Sequence, residues 1–370
     1  MIPGGVRRAR LQGVLLALLP ASIALIVGLP ALGGSWVWDD GLVLEKQLRV
    51  FRSLGDLLFP PRGIPGFSVH YYRPLTIASW ILDREVWGER PWGFHLSVLI
   101  GHAVVTGLVF LLIRSFLARG RNADLASVWG AILFAVHPIH TESIAWIAGR
   151  SDVLAGLGVL ASALCLRRRP LGWPALAGAL VGFGLACLAK EVAFGFILLV
   201  PSLARDAIPE PGPRGAGVHL VGAEGDRRGR QRRERIAEGR PNRATIPAGR
   251  SPAPRWRPAG GIWVFASFVI VTAGILLLRY RALGDLGGDA PRAAGRAGSI
   301  EACGGALSFY LTRAILPLRP SPFVDQIPTG AGAWIGLAAG IALAIVALTL
   351  ARRPSAVGSG LSWFLALLIP

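Results

Sequence analysis

Long runs of apolar residues without charge constrain this chain more than any other feature. The first run, residues 11–32, follows three closely spaced arginines, Arg7, Arg8 and Arg10. A helix rises about 1.5 Å per residue, so this run is long enough to cross a hydrocarbon core of about 30 Å. A cleaved signal peptide is the alternative, but its apolar region is normally only about 7–15 residues long. The run therefore predicts an uncleaved first membrane helix.

Similar runs recur along the chain and predict an all-α fold, a polytopic transmembrane helical bundle of about nine spans. After the first run they cover 94–113, 125–136, 153–166, 173–189, 192–204, 261–278, 331–351 and 361–369. A further apolar segment, 306–317, is too short to cross a bilayer. It is predicted to be interfacial or re-entrant.

The charge balance is strongly basic, with 39 Lys and Arg against 21 Asp and Glu. An apolar chain with this balance either binds nucleic acid or holds its arginines on one side of a bilayer. With a cytoplasmic N-terminus, alternation of the spans places these Arg clusters on the cytoplasmic side: 114–121, 167–169, 205 onward and 352–353. The outer loops are then 35–93, 137–152, 190–191 and 279–332. We therefore predict a multi-pass protein of the plasma (inner) membrane, with the bilayer and not nucleic acid as its partner.

One segment departs from the membrane pattern. Residues 212–258 contain twelve Arg and four acidic residues, are rich in Gly and Pro, and have almost no apolar periodicity. We interpret 205–260 as a disordered cytoplasmic loop attracted to anionic lipid, with nucleic-acid binding as the alternative. It separates an N-terminal membrane core, 1–204, from further membrane helices in 261–370.

The first outer loop, 35–93, holds seven of the 21 acidic residues. Asp39 and Asp40 are adjacent and directly follow the first span. Two neighbouring carboxylates at a membrane interface are costly to ionise together, which suits a general base or a cation-binding pair. A solvent-exposed pair that ends a helix is the alternative.

An interfacial amphipathic helix is predicted over residues 75–87 of the same loop. Pro74 suits a helix start because its ring presets φ and its missing N–H costs nothing there. Trp80 is expected on the membrane side of this helix, with Asp83 toward another side. Arg73 would either hold a phosphate or pair with Asp39 or Asp40.

Histidines and further charged residues gather at the predicted outer face. His137, His140 and Glu142 resemble metal ligands, but there is no HExxH motif and a proline intervenes, so a hydrogen-bonding network around a polar substrate is favoured over a metal site. Lys190 and Arg313 are candidate anion contacts, although Lys190 and Glu191 equally suit a local charged turn. Within the span 94–113, His95 and His102 share a face and are either functional or packing residues.

The ordered motifs resemble one family. In chain order they read WVWDD, HYYRPL, WGERPWGFHLSVLIGH, HPIHTESIAWIAGRSDVLA, LAKE and YLTRAILPLRPSPFVDQ. Together they look like the membrane half of the transmembrane and tetratricopeptide-repeat (TMTC-like) proteins, which are related to the protein O-mannosyltransferases in the GT-C glycosyltransferase superfamily. Val98 departs from the pattern, because members usually carry Asn there. Members also continue into tetratricopeptide repeats, which are absent here. The chain is therefore expected to be truncated, which puts the activity of this piece in question.

The resemblance implies a membrane glycosyltransferase with a GT-C-like fold. Such an enzyme moves a mannose-like sugar from a polyprenyl-phosphate carrier to an acceptor hydroxyl, on protein or another molecule, at the extracytoplasmic face. It implies catalysis by Asp39 or Asp40 and a lipid-phosphate site at Lys190 and Arg313. The implied substrate-binding residues are Arg73, His137, His140, Glu142, Arg150 and Asp152. The donor is the only cofactor-like molecule implied, and a divalent metal is an unsupported alternative.

Two other functions fit an apolar, polytopic chain. A transporter or lipid flippase would also use charged residues and intramembrane histidines, but it predicts polar groups at mid-span, whereas those here gather at loop ends. A non-catalytic membrane scaffold is the second alternative. The presence of Asp39, Arg73, His140 and Lys190 argues against a scaffold.

Overall fold

The computed structural model describes residues 3–38, 40–42, 48, 50–51, 53–60, 71–117, 120–168, 171–205, 260–284, 296–315 and 328–351. Within these ranges the chain forms α- and 3-10 helices and no β-strand, which confirms the all-α prediction. Apart from Arg205 and Gly260, the predicted loop 205–260 lies outside the described residues, as does the predicted span 361–369.

The described chain contains thirteen α-helices and four 3-10 segments. The α-helices are α1 (Pro3–Gly28), α2 (Asp40–Leu42), α3 (Leu54–Leu58), α4 (Pro74–Trp87), α5 (Pro91–Phe116), α6 (Arg121–Val136), α7 (Thr141–Ala145), α8 (Arg150–Leu166), α9 (Trp173–Ala189), α10 (Val200–Arg205), α11 (Gly260–Leu283), α12 (Arg296–Ile315) and α13 (Ala331–Ala351). The 3-10 segments are Leu29–Gly33, Pro138–His140, Ile147–Gly149 and Glu191–Leu199.

Four helical stretches of the described chain are long and apolar enough to cross a membrane. They are Leu11–Gly33, Pro91–Phe116, Ile147–Leu166 and Gly261–Leu283. Shorter apolar helices cover Trp173–Ala189, Glu191–Ala204 and Ala331–Leu343. These stretches support a multi-pass membrane protein, whereas the count of about nine spans stays a prediction.

Helix α5 is the centre of the bundle, because it packs against α1, α6 and α8. Next to it, α8 and α9 cross at two glycines: a Cβ on Gly158 would lie 2.5 Å from the carbonyl oxygen of Gly182. Lipid tails are as apolar as leucine, so helix association in a bilayer depends on such close packing of small residues. The aromatic rings of Phe183, Phe196 and Phe268 are fully buried and join α9 to the 3-10 segment after it and to α11.

Helix α4 begins as the sequence predicts, with Pro74 at its first position. The prediction for Asp83 was wrong. Asp83 is buried on the same side of α4 as Trp80, three residues earlier, and not on another side. The reason is tertiary, since the guanidinium of Arg150 in α8 pairs with the Asp83 carboxylate at 2.5 Å.

The described part of the segment predicted as a short apolar stretch, residues 306–315, belongs to the longer helix α12. Helix α12 begins at Arg296, well before the apolar stretch, and packs along α13. The two helices approach where Gly304 of α12 faces the backbone of Ala333 and Gly336. The absence of side chains at these glycines permits the close contact between the two helices.

Candidate active site at the ends of the helices

Asp40 is the anchor of the chain segment that follows α1. The residue is only 1% exposed. It accepts hydrogen bonds from the backbone N–H groups of Val37 at 3.1 Å, Ile147 at 3.4 Å and Ala148 at 2.9 Å. These bonds tie the segment to the turn Ile147–Gly149, so Asp40 fixes the local backbone. Its role as a catalytic base stays a prediction.

The other member of the acidic pair, Asp39, lies outside the described residues. Its neighbour Trp38 has a left-handed backbone, with φ 51°. Non-glycine residues with such angles are uncommon, and strained backbone of this kind clusters at functional sites. The indole of Trp38 meets that of Trp146 edge to face, with ring centroids 5.2 Å apart. The chain around the acidic pair is thus shaped by contacts with the second predicted outer loop.

Lys190 is paired with Asp152. The ammonium nitrogen lies 2.7 Å from both carboxylate oxygens. Lys190 ends α9 and Asp152 lies in the first turn of α8, so the pair joins the ends of two helices.

Arg73 is paired with Glu191 rather than with Asp40. Its guanidinium donates two hydrogen bonds to the Glu191 carboxylate, at 2.9 Å and 2.6 Å. It also lies over the ring of Tyr71, 4.4 Å from the centroid. Lys190 and Glu191 therefore pair with residues of different elements, Asp152 in α8 and Arg73 just before α4. Nothing in the sequence identified Glu191 as the partner of Arg73, because 118 residues separate them.

Glu142 lies within electrostatic reach of several charged groups. Withdrawal of the carboxyl from water raises its pKa above the ordinary value, and the negative charge of Asp152 raises it further. The positive charges of Lys190 and Arg313 oppose both effects. Together these residues form the outer charge cluster: Glu142, Asp152, Lys190 and Arg313. The structure thus brings together four of the sequence-predicted site residues, including one from α12.

Histidine rings form a second cluster. His140 lies 4.3 Å from the ring of Phe134, 5.1 Å from His102 and 6.3 Å from His137, measured between centroids. Burial lowers the pKa of His140 from 6.5 to about 3, and the charges of the other two histidines add to this effect. His140 is therefore neutral near pH 7.

His137 caps the short helical turn after α6. Its Nδ1 accepts a hydrogen bond from the backbone N–H of Ile139 at 3.2 Å. His95 is fully buried, and neither of its ring nitrogens has a hydrogen-bond partner among the described residues.

Arg150 is held inside the protein. Its side chain is 4% exposed, pairs with Asp83 and donates a hydrogen bond to the carbonyl of Phe94 at 3.1 Å. These contacts are internal, and its predicted role in substrate binding stays a prediction. Within the described part of the chain, no group of three His, Cys, Asp or Glu side chains is arranged to hold a metal ion.

An apolar groove of about 610 Å³ opens between α5, α8 and the 3-10 segment that follows α9. Its walls include Val105, Val109, Leu112, Phe116, Phe134, Ala155, Gly156, Val159, Leu160 and Val192. Asp152 is the charged residue in its lining, so the groove ends at the outer charge cluster. An apolar tail lying in the groove would therefore place its head beside Lys190.

Comparison with known proteins supports the resemblance. The chain is 32% identical over 197 residues to a fruit fly (Drosophila melanogaster) protein named protein O-mannosyl-transferase Tmtc2. The matched region covers 48% of this chain and 20% of that protein. It is 43% identical over 94 residues to mouse (Mus musculus) TMTC2, and this match covers 25% of this chain and 11% of the mouse protein. It is 33% identical over 163 residues to human (Homo sapiens) TMTC4, and this match covers 40% of this chain and 22% of the human protein.

These relatives confirm that the chain is TMTC-like over the compared part. The chain spans about a tenth to a fifth of the length of the curated relatives it matches. No family model matches it. No solved structure matches it either.

Proposed function

We propose that this chain forms the membrane-embedded transfer centre of a glycosyltransferase. It would move a mannose-like sugar from a polyprenyl-phosphate carrier to a hydroxyl group of a protein acceptor at the extracytoplasmic face. The names of the relatives, protein O-mannosyl-transferases, support the reaction class. The observation that carries the proposal is the apolar groove whose end reaches the outer charge cluster.

The groove suits the apolar tail of the carrier. Its volume of about 610 Å³ lies within the range of about 300–1,000 Å³ that is typical of ligand pockets. A tail between α5 and α8 directs the phosphate toward Lys190. The phosphate then competes with Asp152 for the ammonium group, so donor binding exchanges one ion pair for another. Arg313, near Glu142, adds positive charge on the same side.

The transfer itself needs two groups. The acceptor oxygen attacks the anomeric carbon of the sugar, the bond from that carbon to the carrier phosphate breaks, and the acceptor proton passes to a carboxylate. A positioned base and stabilisation of the leaving phosphate both lower the barrier. Asp40 is occupied by three backbone N–H groups. We therefore assign the base to Asp39 and a positioning role to Asp40, with Lys190 at the leaving phosphate.

Narrowing the groove tests this function. In the full-length protein reconstituted in nanodiscs, with polyprenyl-phosphate mannose as donor and a peptide containing serine and threonine as acceptor, Gly156→Trp is expected to raise the donor KM about tenfold or more. Gly156 lines the groove. The control is Gly274→Trp in α11, where an added Cβ would meet no atom of the described residues within 4 Å.

Two results would overturn the proposal. One is the absence of mannose transfer by the unaltered full-length protein. The other is an unchanged donor KM in the Gly156→Trp variant, since an occupied groove cannot accept an indole without loss of tail contacts.

A further inference from the structure

Helix α4 carries a buried carboxylate where it meets two other helices. Asp83 is 6% exposed, and one of its carboxylate oxygens pairs with the guanidinium of Arg150 at 2.5 Å. The other oxygen accepts a hydrogen bond from the hydroxyl of Ser97 in α5 at 2.7 Å. That hydroxyl in turn accepts a hydrogen bond from the indole N–H of Trp87 at 3.2 Å. The carboxylate therefore joins α4 to α5 and to the start of α8.

Arg150 extends the same network from the side of α8. Besides pairing with Asp83, its guanidinium donates to the backbone carbonyls of Phe94 at 3.1 Å and of Ser79 at 3.3 Å. A buried ion pair is often no more stabilising than a well-packed apolar pair, because both charges lose their hydration. In some proteins such groups instead select one arrangement of the elements that they join. Here they join α4, α5 and α8, so the network fixes how these three helices lie relative to one another.

One side of the network holds the 3-10 turn that lies directly before Arg150. Two N–H groups of this turn, those of Ile147 and Ala148, donate to the Asp40 carboxylate at 3.4 Å and 2.9 Å. Ile147 is also buried together with Trp80 of α4. A shift of Arg150 would therefore move the turn and the carboxylate that is bound to it.

The other side of the network holds the charged end of the groove. Asp152, two residues beyond Arg150, pairs with Lys190 at 2.7 Å. Helix α4 also contacts the chain beside Lys190, because the hydroxyl of Thr76 donates to the carbonyl of Ala189 at 2.9 Å. Helix α4 thus contacts the start of α8 and the end of α9, which are the two helix ends that carry this ion pair.

We infer that Asp83 is a positioning residue of the transfer: through Arg150 it aligns the base at the acidic pair with the cation at the leaving phosphate. The inference rests on the proposed function and adds to it a residue that acts without contact to either substrate. The two reacting groups have to be held at one separation, and a misplacement of about 1 Å costs about a hundredfold in rate. Because Asp83 holds the chain between these groups, its loss changes their alignment and not the binding of either substrate.

Removal of the charge on Asp83 tests the inference. In the full-length protein, with the donor and peptide described above, Asp83→Asn is expected to lower kcat about ten- to a hundredfold and to leave both KM values within about twofold. Asp124→Asn is the control, because it also breaks an ion pair of α5, with Arg114 at the opposite end of that helix. Its kcat should be unchanged. An unchanged kcat in Asp83→Asn, or a raised KM as its only effect, would overturn the inference.

Hydrogen exchange provides a measurement that does not depend on turnover. Asp83→Asn is expected to speed exchange at the N–H groups of Ile147 and Ala148 about tenfold or more, because the turn is then no longer fixed, whereas Asp124→Asn should leave this exchange unchanged. Equal exchange in Asp83→Asn and the unaltered protein would overturn the inference. If the unaltered protein transfers no mannose, the proposed function fails, and the exchange then decides separately whether Asp83 holds the turn.

A milder variant is used if Asp83→Asn does not fold, since loss of this carboxylate leaves the charge of Arg150 buried and uncompensated. Ser97→Ala keeps both charges and removes only the hydroxyl that donates to Asp83. It is expected to lower kcat about three- to tenfold, again with both KM values unchanged. An unchanged kcat in this folded variant would contradict the positioning role.

Discussion

The cations Lys190 and Arg73 of this site form ion pairs with carboxylates of the protein itself. Lys190 holds Asp152 at 2.7 Å, and Arg73 holds Glu191 through two hydrogen bonds. Paired cations of this kind keep the ends of the helices together before substrate arrives. They also set a condition on donor binding, since an incoming phosphate has to replace a carboxylate.

Removal of the Lys190 charge is expected to weaken donor binding. A hydrogen bond to a charged group is worth about 1.5–3 kcal/mol, so Lys190→Ala should raise the donor Kd roughly ten- to a hundredfold. Lys190→Arg keeps the charge and should recover most of the affinity. A titration of the reconstituted protein with polyprenyl phosphate measures the effect. Equal Kd values for the alanine variant and the unaltered protein would contradict a phosphate contact at Lys190.

His140 is expected to make stability depend on pH. Its pKa is about 3 in the folded protein against 6.5 for an unperturbed histidine, so the unfolded chain binds an extra proton between these values. The stabilisation is therefore complete above about pH 6.5 and is lost as the pH falls toward about 3. In thermal unfolding followed in detergent, the fall in Tm between about pH 7 and about pH 5 should be smaller in His140→Gln. A parallel fall in both proteins would argue against a neutral, half-buried His140.

At the scale of elements, the crossing of α8 and α9 determines how the groove and the charge cluster are held. Gly158 and Gly182 meet backbone to backbone at this crossing. Asp152 lies at the start of α8 and Lys190 at the end of α9, so their pairing depends on the distance between the two helices. The ion pair between Asp152 and Lys190 therefore requires a small residue on each helix where α8 and α9 cross.

Gly158→Ala is expected to destabilise the protein by about 1–3 kcal/mol, because an added Cβ would overlap the backbone of Gly182 and force the helices apart. Gly156→Ala is the control on the same helix. Its Cβ would lie 3.8 Å from the nearest side-chain atom, a methyl carbon of Val105, which is an ordinary contact. Alanine also favours a helix over glycine by about 1 kcal/mol, so this variant should keep or raise the Tm. Similar losses in both variants would show that the crossing is not tightly packed.

At the scale of the whole molecule, the predicted orientation places the candidate site on the outer face of the membrane. Its basis is the distribution of arginine, as in the cluster 167–169 at the end of α8. The opposite end of α8, at Asp152, belongs to the outer charge cluster. The two ends of α8 are therefore predicted to lie on opposite sides of the membrane.

Cysteine labelling in intact cells tests this orientation. In a variant with Cys165, Cys187 and Cys303 replaced by serine, Thr141→Cys should react with a membrane-impermeant maleimide added outside. Arg168→Cys should react only after the membrane is opened, because arginine-rich ends are retained in the cytoplasm. Both positions are exposed on the protein. The reverse pattern would place the site on the cytoplasmic side and contradict the proposed function.

Much of the local structure could be predicted from the sequence. Apolar runs predicted the helices, since an uncharged run of sufficient length forms a helix wherever it lies in lipid. Pro74 predicted the start of α4, since the ring fixes its own φ. The extent of α12 could not be predicted in this way, because its first part is not apolar and is ordered beside α13.

The sequence by itself determined most of the helices, because periodicity and proline geometry act locally. Its motifs and their resemblance to one family identified the residues that form the outer charge cluster. Only the tertiary structure decided which charges meet. The partners Arg73 and Glu191 lie 118 residues apart, and Asp83 turns inward to meet Arg150. Pairing between helices depends on how close their backbones approach, and that distance is set by packing at crossings such as Gly158 and Gly182. No periodicity along a single helix contains this information.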